Sequence, residues 1–137
     1  MGQQQILLIM LTVIVVGIAI VVGTQLFRAQ AADSNLDAVC ADLVLLANRA
    51  QMHYIKPIAM GGGGESFVRL TPDAAGMAYL TTAPNNGNGT YSILNAGTAT
   101  TVTLQGIGSH DADGDGMNDT ATIQVWSDSL DLTVLSR

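Results

Sequence analysis

From residue 6 to residue 23 the chain carries no charge, and Thr12 is its single polar side chain. As a helix these 18 residues rise about 27 Å, close to the hydrocarbon thickness a membrane span needs. Apolar positions then recur at Leu36, Val39, Cys40, Leu43, Leu46, Ala47, Ala50 and Tyr54, in steps of three and four, while Asp37, Asp42, Asn48, Arg49 and Gln51 take other faces. No proline interrupts before Pro57, whose ring disfavours a helical Lys56. The pattern predicts one helix from about Gln3 to Ile55, roughly 75 Å long. Its outer half is meant for lipid or like helices and its inner half for a sheet. Gly17 and Gly23 make 17–24 the weakest segment, the place where a stretch or bend is expected if there is one anywhere in the helix.

After Pro57 the composition shifts to Gly, Thr, Ser and Asn with β-branched alternation. Residues 91–94, 99–107, 120–126 and 130–136 read as strands separated by Gly and Asn turns. Sequential antiparallel pairing is the economical topology. Ala121, Ile123 and Val125 share one face, as do Leu130, Leu132 and Val134, and residues 36–54 are expected to cover it. The predicted fold class is therefore α+β: a long N-terminal helix with a small antiparallel head packed on its second half. Residues 1–28 form the apolar helix, 29–56 its amphipathic continuation and 57–137 the head.

Length and charge narrow the function classes. At 137 residues there is room for one small domain plus one long element, not for a multidomain enzyme. The whole net charge of −6 sits in residues 57–137, where Arg69 and Arg137 are the only bases. Clustered cations for phosphate binding are missing, which sets nucleic acid aside as a partner. Cys40 is the only cysteine, which excludes an intrachain disulfide, and its spacing predicts a small core-facing hydrophobe.

A hydrophobic N-terminus has several meanings. Ala29-Gln30-Ala31 looks like a signal-peptidase site, but no Lys or Arg precedes an apolar run that is longer than usual for a signal. Ile6 stands where myristoylation requires Ser or Thr. An anchor or a polymerising helix remains, and the uninterrupted passage of helix into head favours the second.

Here the residues resemble a family. The aliphatic run after Met1-Gly2-Gln3-Gln4-Gln5, continued as an amphipathic helix and followed by a β head, looks like the type IV pilins and their pseudopilin relatives. The resemblance implies a structural subunit of an extracellular filament, inserted in the membrane before assembly and polymerised with copies of itself by a pilus assembly machinery. It implies that Ile6, Leu7, Met10, Leu11, Ile14, Val15, Ile18, Val21 and Val22 lie in the filament core. Gln5 stands near the position where pilins carry a register-setting glutamate; amide hydrogen bonds among the three glutamines of buried subunits are the expected substitute, the alternative being an interfacial polar cap on a membrane helix.

The head holds one sharp chemical motif, Asp111-Ala112-Asp113-Gly114-Asp115-Gly116-Met117-Asn118-Asp119. Alternate carboxylates with Gly in sixth place reproduce the start of an EF-hand loop, whose seventh residue gives a backbone carbonyl. The predicted calcium ligands are Asp111, Asp113, Asp115, the Met117 carbonyl and Asp119. Thr122 stands where an EF-hand has its bidentate Glu, and the absence of thiolates disfavours zinc. The alternative is a polar Asp/Gly turn.

Other motifs read as structure. Gly61 to Gly64 lack the Lys-Ser/Thr of a phosphate loop and are expected to make a turn or a subunit contact. Asn88-Gly89-Thr90 and Asn118-Asp119-Thr120 match the glycosylation sequon. His53 is expected to be a packing or surface histidine, and Ser109-His110-Asp111 are chain neighbours and not a spatial triad. No enzyme class is expected. The competing function is a single-pass membrane-anchored calcium-binding surface module.

Overall fold

A computed structural model describes residues 2–136 of the chain. Helix α1 runs unbroken over Gly2–Ile55, 54 residues. No break occurs at the weakest segment either: every residue from 17 to 24 is α-helical. Each of the two glycines costs only about 1 kcal/mol relative to alanine in a helix, too little to break a run this long. The helix's isolated hydroxyls stay inside it as well, Thr12 Oγ1 donating to Leu8 O at 2.8 Å and Thr24 Oγ1 to Val21 O at 2.9 Å.

The head is a four-stranded antiparallel sheet in the order β1 (Gly89–Asn95), β2 (Thr101–Gly108), β3 (Thr120–Trp126), β4 (Leu130–Ser136). The last two strands match the sequence reading residue for residue. β2 begins two residues later than expected because Thr98 to Thr101 close a turn, Thr101 N–H bonding Thr98 Oγ1 at 3.0 Å and Thr98 N–H bonding Thr101 O at 2.8 Å. α1 lies across β2 and β3. Leu36, Val39, Leu43, Leu46, Ala47 and Ala50 from the helix meet Val102, Leu104, Ala121, Ile123 and Val125 in one core. Gly106 allows the close approach: a Cβ there would stand 2.8 Å from Val39 Cγ1.

One expectation for this face is corrected. Leu130, Leu132 and Val134 pair with Val125, Ile123 and Ala121 and share their face, yet they remain 37–42% exposed. A helix about 10 Å wide covers two strands spaced about 4.8 Å apart, and α1 has taken β2 and β3. At the opposite edge Phe67, Leu70 and the short helix α2 (Ala74–Ala78) close the core beside β1.

The end of α1 is sealed by the glycine loop. Gly63 N–H donates to His53 O at 2.7 Å, Glu65 N–H to Tyr54 O at 2.7 Å and Gly64 N–H to Lys56 O at 3.0 Å, satisfying carbonyls that every helix end leaves open. Gly61 (φ +80°) and Gly64 (φ +61°) take left-handed backbone, and a Cβ on Gly62 would collide with the Lys56 carbonyl. The expected turn is what these glycines make.

Candidate functional site

Two regions carry the sequence-predicted function. In the first, no residue of α1 before Ala32 is buried: Ile6, Leu7, Met10, Leu11, Ile14, Val15, Ile18, Val21 and Val22 are 48–69% exposed, and Ala32 is the first helix residue buried against the head. Apolar on every side over residues 6–23, this helix is long and apolar enough to cross a membrane. Helix and head are joined without a linker.

The second region is the acidic loop between β2 and β3. Asn35 fixes its near end, accepting from Ser109 N–H at 3.0 Å and donating to Asn88 O at 2.8 Å. Asp111, Asp113 and Asp115 each bring one carboxylate oxygen within 4.8 Å of the others. Their other bonds fold the loop: Asp111 accepts from Gly114 N–H at 2.6 Å and from Gly116 N–H at 2.8 Å, and Asp115 accepts from Met117 N–H at 2.7 Å. The Gly116 and Gly114 amides hold the Asp111 carboxyl below the usual range. The Asp115 amide draws Asp113 down too, but desolvation and the charges of Asp111 and Asp115 outweigh it and leave that group raised.

Asp119, the fourth predicted carboxylate, is not one of this convergent group. It is 1% exposed; Oδ1 accepts from Ala112 N–H at 3.2 Å, while Oδ2 is buried with no hydrogen-bond partner among the described residues. A buried carboxylate oxygen without a partner is costly, and a cation is one way to satisfy it. The donor set is all oxygen and suits a hard divalent ion. Three of the four predicted carboxylates converge; the fourth adjoins the loop through Ala112. Met117's side chain points to solvent, 69% exposed.

Other singled-out residues fall into structural places. His53 is buried and packs on Tyr79, ring centroids 4.8 Å apart. Cys40 sits at the edge of the core, where burial, and then the charge of Asp37, push its thiol pKa up. Ser109 Oγ lies 3.0 Å from His110 Nδ1, but the Asp111 oxygens are occupied by Gly114 and Gly116 amides. Asn88 spends its side-chain amide on Asp42, at 2.9 Å.

Sequence reasoning missed one feature. Arg49, His53 and Lys56, at spacings of four and three, share a face of α1 and line a groove of about 670 Å³ with Met52 and Tyr79. The spacing lies in the sequence, but the groove itself also needs Tyr79, which is remote along the chain. With this geometry established, comparison with known proteins adds no relative: no family model, curated protein or solved structure matches the chain. The long apolar N-terminal helix with a small antiparallel sheet is the general layout of a pilin.

Proposed function

We propose that this chain is the structural subunit of an extracellular filament of the type IV pilin kind, held in the membrane before assembly and polymerised through the apolar half of α1. The observation that carries the reading is the single unbroken helix, apolar over residues 6–23, unburied to residue 31 and built into the head from Ala32 onward. A tethered module needs only an anchor and a flexible linker; a rigid continuation fixes the head relative to the helix, which a regular polymer requires. Buried together, the bare segments replace lipid with protein, and Gly17, Ala19 and Gly23 permit close helix approach. The machinery that would move subunits from membrane to filament is implied by the resemblance to pilins alone.

Within the head, Asp111, Asp113, Asp115 and the Met117 carbonyl would hold calcium, with Asp119 completing the charge. Bound there, the ion supplies two positive charges to a loop with four carboxylates. The chain's own residues do the rest: glycines 114 and 116 turn the loop (φ +77° and +89°), and Asp119 joins it to β2 by accepting from Ala112 while its carbonyl accepts from Gly108 at 2.8 Å. The test is substitution of Leu11 or Val15 by Asp, with filaments sought by microscopy. Loss of filaments with the head still folded supports polymerisation. Unchanged filaments leave the membrane-anchored calcium module as the better reading.

A further inference from the structure

The groove at the end of α1 has no role in the reading above. Three of the chain's five Lys and Arg residues gather around it: Arg49 and Lys56 in its wall, and Arg69 over the Tyr79 ring, guanidinium carbon 5.7 Å from the centroid. The glycine loop already caps the helix at the His53, Tyr54 and Lys56 carbonyls. Arg49 and Arg69 each lend one nitrogen to a backbone oxygen, Leu80 O at 2.9 Å and Gly62 O at 3.0 Å, which leaves most of each guanidinium fork free. His53, in the same wall, is 6% exposed, with Nε2 buried and without a partner among the described residues. The result is a concentrated positive patch on a head whose remaining charge is strongly negative.

The densest negative charge lies at the other end of the same head. Asn35 ties the acidic loop to the stalk end of the sheet, and the groove centres on Arg49 to Lys56. Asn35, Asp42, Arg49 and Lys56 follow one another at seven-residue intervals and so run along one edge of α1. From Asn35 to Lys56 the helix rises about 30 Å. A second copy shifted along the helix axis by that amount brings its acidic loop level with the first copy's groove.

Resting on the polymer reading, we infer that the groove lined by Arg49, His53 and Lys56 receives the 111–117 loop of a second copy, head to tail. The two surfaces differ, so the contact is heterologous and propagates into a helical polymer in place of closing a dimer. Charge complementarity gives it register: three carboxylates on the loop, or a net of one negative charge with a divalent ion bound, face the cations of the groove. Met117, at the loop tip, and Met52, at the groove, are each about 70% exposed and offer an apolar contact between the charged sets.

The experiment is cysteine cross-linking in the full chain on cells, with Cys40→Ala as background. Met52→Cys and Met117→Cys are combined, which changes no charge and no carboxylate, and sheared surface material is oxidised mildly and run without reductant. The inference predicts a ladder extending well beyond dimers for the double variant, little for either single variant, and a severalfold weaker ladder when Lys56→Glu is added. Filaments of normal abundance with no ladder above the single variants would overturn the head-to-tail contact and leave the polymer reading standing. Absence of filaments from the unaltered chain would remove both.

Discussion

The phenol of Tyr91 donates to Asp42 Oδ2 at 2.7 Å, and this one carboxylate oxygen also accepts from Asn88 Nδ2 at 2.9 Å and Asn86 Nδ2 at 3.0 Å. Strand β1, the loop before it and α1 are thereby clamped at a single atom. Burial pushes Asp42 up, but the bonds from Asn88, Tyr91 and Asn86 outweigh it and hold the carboxyl below its ordinary value of 3.8. A depressed carboxylate stabilises the fold above its unfolded pKa and loses that contribution as pH falls through the folded value. Asp42→Ala is expected to cost about 2–3 kcal/mol at pH 7 and Tyr91→Phe about 1, and the difference between Asp42→Ala and wild type should shrink below pH 4. Denaturant melts of the full chain in detergent check both.

His53 has the opposite charge type and its own pH signature. Burial, then the charges of Arg69 and Lys56, lower its pKa from 6.5. A histidine kept neutral in the fold but protonated when unfolded confers stability above about 6.5 that is lost as pH falls below it. Unfolding midpoints at pH 7.5 and pH 5.5 should therefore differ in wild type, and differ less in His53→Gln. An equal slope in the two proteins would show that His53 does not resist protonation.

The glycine loop predicts a contrast between neighbours. Gly61→Ala meets no atom within 4 Å and should cost about 1 kcal/mol for its positive φ alone, whereas Gly62→Ala drives a methyl into the Lys56 carbonyl and should cost more than twice that. Thermal melts of the two variants in detergent rank them.

Calcium should raise the melting temperature of the full chain. At ten times the dissociation constant, binding to the folded state alone adds about 1.4 kcal/mol, or roughly 4–8 °C for a domain of this size. Asp113→Ala should abolish the increment while leaving the melting temperature in chelator close to that of wild type. Identical melts in calcium and chelator would leave the loop an acidic turn.

Much of the fold was legible because it rests on periodicity. Steps of three and four from Leu36 to Tyr54 and of two from Ala121 to Val125 name the two faces that meet in the core. What periodicity does not encode is width. Leu132 alternates as well as Ile123 does, yet only the second lies beneath α1, because the number of strands a helix covers is set by tertiary geometry. Chain ends of strands were misplaced where a side chain, Thr98, competed for backbone bonds. In the acidic loop, Asp111, Asp113 and Asp115 converge as their alternation implied, while the burial of Asp119 and the cationic groove depend on contacts between residues remote in sequence.

The central claim, that residues 6–23 are a polymerisation surface, is tested most directly by electron microscopy of sheared surface material from cells carrying the wild-type chain or Leu11→Asp. Leu11 is exposed in the isolated subunit and touches no part of the head, so the substitution leaves the fold intact while placing a charge among packed apolar helices. Thin, uniform filaments from wild type and none from Leu11→Asp are the predicted result. Filaments of equal abundance from both, or none from wild type with the chain abundant at the surface, would contradict it.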